Sequence, residues 1–135
     1  MSLLMLKSIL TTVVVLLSAW QAVSGLRMTG RLKRIPAPIK NMRFGHRLAG
    51  DAALLLTLSV AVICVTHQSY SAYSLRVPVH AALGTLAAVV LLVKVIIARR
   101  FRRYLRHARI MGGVAGFSLL GCFWASALWY FLLVW

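Results

Sequence analysis

The fold class that the sequence predicts is an all-α membrane protein, a four-transmembrane-helix bundle with both termini on the non-cytoplasmic side. Three observations lead there. The 135-residue chain is 61% hydrophobic and only 13% charged, with a mean hydropathy of +0.88, whereas a soluble domain is nearer half apolar and about a quarter charged. Four apolar runs, at about 3–25, 44–66, 77–98 and 110–135, each reach the ~20 residues that a helix needs to cross a hydrocarbon core of ~30 Å. Finally, 13 of the 16 Lys and Arg residues fall in two short stretches between runs, 26–47 and 99–109. Cations gathered at the ends of apolar spans mark the cytoplasmic side.

The first run carries Lys7, an apolar stretch and small residues at Ala22, Ser24 and Gly25, the outline of a signal peptide. Its basic residues follow the apolar stretch, which disfavours export of what comes next. We therefore read it as a retained first helix. The linker 26–43 holds Pro36 and Pro38, so it is expected to be partly extended. The second and third runs flank a short polar connection, 67–76, whose two tyrosines suit an interface. The basic segment 99–109 reads as an extension of the third helix into the cytoplasm. The fourth run ends in Trp129, Tyr130 and Trp135, which predict an aromatic belt on the outer face. All four runs are expected to be helical, because backbone groups in lipid must pair within the segment. The whole chain is taken as one transmembrane domain.

A net charge of +15 with one acid, Asp51, would ordinarily suggest nucleic acid. The clustering of the cations beside apolar spans assigns them instead to anionic headgroups of the bilayer. Cys64 and Cys122 lie inside apolar runs without CxxC spacing, so they read as packing residues. The chain carries no P-loop, GxGxxG or HExxH pattern.

Ionisable residues within spans are candidates for function. Here they are His46, Asp51, His80 and Lys94, with His67 and His107 near span ends. At 100° per residue His46, Gly50, Ala53, Thr57, Val60 and Cys64 share one face of the second helix, with His67 some 60° away. His80, Gly84, Ala87, Leu91, Lys94 and Ala98 share one face of the third. A histidine above small residues suits a flat cofactor that needs an axial nitrogen. It equally suits close helix packing. Matching depths across the hairpin of helices two and three gives two candidate bis-histidine pairs, an outer His67–His80 and an inner His46–His107. It also sets Asp51 and Lys94 at one level, as an intramembrane ion pair; Lys94 has the alternative of binding a haem propionate. Arg76 stands at the outer surface, where propionates of an outer haem would point.

The segments HRLAGDAALLLTLSVA (46–61), RVPVHAALGTLAAVVLLVKV (76–95) and WASALWYF (124–131) resemble a small four-helix membrane family of unknown function. Its members look like b-type cytochromes of the ascorbate and ferric-reductase kinds. The resemblance implies one haem b, with a second if the inner pair is used, ligated through His80. In the family pattern a second-helix histidine stands where this chain has Ile63, and His67 lies one turn later. His46 and Lys94 match the pattern.

Three functions follow as expectations. The first is a haem-b electron-transfer or anchor subunit, passing electrons to a quinone or to partner membrane subunits. The second is a cofactor-free accessory subunit of a larger membrane complex, with Gly112, Gly113, Gly116 and Gly121 as contact surface. The third is a small transporter using Asp51. In none of the first two is the chain an enzyme by itself. The expected location is a bacterial inner or plasma membrane, with both basic loops in the cytoplasm.

Overall fold

A computed structural model describes residues 3–32, 38–67, 75–128 and 131–132. It is all-α: α1 spans Leu3–Met28, α2 Ile39–Thr66, α3 Arg76–Arg100 and α4 Ala108–Phe123. All four helices, α4 taken with its flanking turns, are long and apolar enough to cross a membrane. The aromatic residues Trp129, Tyr130 and Trp135, together with Lys33 and Pro36, lie outside the described residues.

Local chemistry sets the helix ends. α1 stops where Gly30 adopts φ +76°, the left-handed conformation that costs glycine least. The Arg31 amide then donates to the Leu26 carbonyl at 3.1 Å and the Gly30 amide to Arg27 at 3.0 Å. This pair of bonds is a Schellman closure. α2 begins directly after Pro38, whose φ of −63° and ψ of 127° leave its carbonyl to accept from Asn41 and Met42. α2 therefore starts five residues earlier than the apolar run alone implies. Pro78 falls in the first turn of α3, where its missing N–H breaks no helical bond.

The basic segment does not extend α3, as its sequence suggested. The helix ends at Arg100, Phe101 turns the chain (φ −121°, ψ 61°), and Arg102–His107 form a short 3₁₀ helix leading into α4. A continued α-helix would have set Arg99, Arg102, Arg103 and Arg106 three or four residues apart on one side. Like charges at that spacing repel. Beyond Phe123 the chain widens into a π-helical turn, Trp124–Leu128.

The helices pack chiefly as two pairs, α1 with α2 and α3 with α4. An α1–α4 contact joins the pairs, and the α2–α3 contact is the thinnest of the four. Side chains from every helix meet at the centre: Val14, Leu54, Ala87, Leu91, Ala115 and Leu119. Glycines allow the close approaches. A Cβ on Gly50 would collide with the Gln21 amide, and one on Gly121 would sit 2.7 Å from Leu83 Cδ1. Buried hydroxyls return to their own helix: Thr57 donates to the Ala53 carbonyl at 2.7 Å and Ser118 to Val114 at 2.8 Å. Such bonds satisfy a hydroxyl without a second helix.

Candidate functional site

The basic end of the bundle gathers the last turns of α1 and α3 with the first turns of α2 and α4. Here a polar network crosses three helices. Ser24 of α1, wholly buried, lies with its Oγ 2.7 Å from His46 Nδ1 of α2. Gln21, one turn earlier on α1, donates from Nε2 to the His46 carbonyl at 3.3 Å. Its Oε1 accepts from Lys94 Nζ of α3 at 2.8 Å. Gly25 and Gly50 keep α1 and α2 close enough for this: a Cβ on Gly25 would stand 3.6 Å from the His46 ring. On the other side of Lys94, a Cβ on Gly112 of α4 would stand 3.6 Å from Nζ.

Two cavities share this network. The larger, about 730 Å³, is a cleft between α1 and α4 reached by His46, Gln21 and Lys94, with Arg31, Arg106 and Arg109 at its end. The second, about 530 Å³, lies towards α2 and α3 and is bounded by Asp51, Arg99 and Arg102 as well as Lys94.

The expected ion pair of Asp51 with Lys94 is replaced by two other contacts. Asp51 Oδ2 accepts from Arg99 at 2.7 Å, with both side chains substantially exposed, while Lys94 is held by Gln21. The long arginine at the end of α3 reaches a carboxylate on the outside of the bundle, whereas Lys94 points to its centre.

The candidate ligand histidines lie in different surroundings. His67 is exposed at the end of α2, its Nδ1 2.8 Å from the hydroxyl of neighbouring Thr66. His107 is exposed in the 3₁₀ helix. His46 turns to Ser24, and His107 takes no place in the cleft that His46 lines. Arg76 is exposed at the start of α3. Among the described residues no three of His, Cys, Asp or Glu come together as a metal group.

His80, like His46, is half-buried. Its carbonyl accepts from the Cys122 thiol at 3.3 Å, and its Nδ1 is the one buried side-chain nitrogen or oxygen among the described residues without a hydrogen-bond partner. The small residues below it do face inward as the periodicity implied, but α4 fills the space they leave. A Cβ on Gly84 would lie 3.5 Å from Cys122 Sγ, and Ala87 is fully buried. A haem macrocycle needs an open slot beside its axial nitrogen, and at Gly84 that space is taken by Cys122 of α4.

Sequence reasoning missed Gln21 and Ser24. A signal was present: Gln21 is the one amide in the first apolar run, and Ser18, Gln21, Ser24 and Gly25 recur at helical spacing.

No curated protein and no solved structure matches the chain. A family model does match, over residues 1–134, and its description is "Family of unknown function (DUF6529)". With that match covering nearly the whole chain, the protein belongs to this family, and its four-helix architecture is what the family resemblance led us to expect.

Proposed function

We propose that the protein spans a membrane as a non-catalytic accessory subunit, a haem-free four-helix body that packs within a larger membrane complex. The observation that carries this reading is how the polar side chains are used. Lys94, Gln21, Ser24 and His46 tie three helices together at the basic end, and Cys122 ties α4 to α3 at the His80 carbonyl. In lipid, interhelical hydrogen bonds and small residues supply association that hydrophobic burial cannot. Of the candidate ligands, His46 and Lys94 are thus already serving the bundle. The basic end is assigned to the cytoplasm by its cations, which leaves both termini outside.

A haem-b electron-transfer subunit is the second reading. It is favoured by His80 Nδ1, a buried imidazole nitrogen with no partner, and it requires α3 and α4 to part at Gly84 and Gly121. The two readings separate by stability. Protein purified from haem-depleted and from haem-replete cells should melt at the same temperature and accumulate equally. A ligand that binds only the folded state raises its melting temperature, so a rise of several degrees with haem supply would overturn the first reading in favour of the second.

A further inference from the structure

We propose that the cleft between α1 and α4 is a binding site for one anionic phospholipid, with its phosphate among Lys94, Arg106 and Arg109 and an acyl chain along α4. This inference goes beyond the accessory role and does not depend on it.

The first argument is charge. The cleft is bounded at one end by Lys94, Arg31, Arg106 and Arg109, with His46 beside them, and no carboxylate lines it. The chain has one acid, Asp51, and Arg99 already holds it at 2.7 Å. Lys94 finds only the neutral Gln21 oxygen and keeps donors to spare, since an ammonium carries three. A cation within a span is costly unless it is paired, so this end calls for an anion from outside the chain. Guanidinium and ammonium groups together suit a phosphate.

Shape supplies the second argument. Away from the cations the lining turns apolar, with Val15 and Ala22 on α1 and Phe117 and Leu120 on α4. From Arg109 to Leu120 the helix rises about 16 Å at 1.5 Å per residue, close to half of a ~30 Å hydrocarbon core and therefore one leaflet. The cleft has depth because Gly113 and Gly116 line it without side chains; a Cβ at either would meet nothing within 4 Å. A charged head and an apolar length of one leaflet together describe a phospholipid rather than a free anion or a buried helix.

The open glycines make the test independent of the fold. The full chain, purified in mild detergent and exchanged into nanodiscs of phosphatidylcholine, would be titrated with phosphatidylglycerol and read by native mass spectrometry. One phosphatidylglycerol should stay bound per chain, favoured about tenfold or more over phosphatidylcholine, since each cation near the headgroup favours an anionic lipid. Gly116→Leu, which fills the cleft, should cut the bound fraction severalfold while far-UV circular dichroism and melting stay as in the wild type. Arg109→Gln should reduce the preference for the anionic lipid while leaving phosphatidylcholine retention unchanged. Equal retention of both lipids by the wild type would overturn the proposal. So would full retention of phosphatidylglycerol by a folded Gly116→Leu protein.

Discussion

Gln21 serves two neighbours with one side chain: its Nε2 donates to the His46 carbonyl of α2 and its Oε1 accepts from Lys94 of α3. Leucine at this position has about the right volume but no polar atoms. Gln21→Leu should therefore destabilise the protein by about 1–2 kcal/mol, the range for interhelical hydrogen bonds and for bonds to a charged group. Reversible unfolding in mixed micelles would measure it. A double-mutant cycle with Lys94→Met should give a coupling of about 0.5–1.5 kcal/mol; additive effects would show that the contact carries no energy of its own. Asp51→Asn, by contrast, loses only an exposed pair with Arg99 and should cost less than about 1 kcal/mol. Residue types in the sequence were enough to single out Lys94 and Asp51, but not to pair them. Counting charges directed Lys94 to the only acid available and passed over an amide, because partner choice depends on which helix face lies opposite and how far each side chain reaches. Lys94 points into the bundle and Arg99 spans the outside, a distinction that a common depth does not encode.

Among the elements, α4 shows how one glycine-rich helix divides its labour. Its four glycines read together as a single contact surface, yet two of them are used inside the bundle, Gly112 against Lys94 and Gly121 against Leu83, while Gly113 and Gly116 stand open. Gly121→Ala should thus destabilise by about 0–2 kcal/mol, because crowding against Leu83 outweighs or cancels the gain in helix propensity. Gly113→Ala should be neutral, or stabilising by up to about 1 kcal/mol from helix propensity alone. Thermal melts of the two variants beside the wild type would decide, and equal losses would contradict the assigned faces. The sequence could not separate these glycines because α4 is apolar nearly all round, so no polar face marks its rotation. Helix existence, in contrast, follows from run length and backbone pairing, and each of the four apolar runs contains a helix among the described residues. The end of α3 at Arg100 was less legible. Nothing at Phe101 breaks a helix by itself; the repulsion among flanking arginines and the need to turn back into α4 do so together.

At the scale of the whole molecule, which helices neighbour each other decides what the histidines can do. α2 and α3 are consecutive, which favours them as close partners, but their contact is the thinnest of the four, and each packs mainly on another helix, α2 on α1 and α3 on α4. His67 lies at an exposed helix end, and the His80 carbonyl accepts from the Cys122 thiol of α4. The inward turn of the His80 face was legible from periodicity; its occupation by Cys122 and α4 was not, since small residues permit a cofactor and a close helix equally well. The proposed orientation, with the basic loops in the cytoplasm, is testable at this scale too. A cysteine placed at Arg103, in a variant lacking Cys64 and Cys122, should label with a membrane-impermeant maleimide only after the cytoplasmic face is opened. The most direct measurement of the central claim is the visible spectrum of wild-type protein purified from a haem-replete host. The account predicts no Soret band and no reduced-minus-oxidised difference, unchanged in His80→Ala and His67→Ala. A stoichiometric Soret band that His80→Ala abolishes would contradict it.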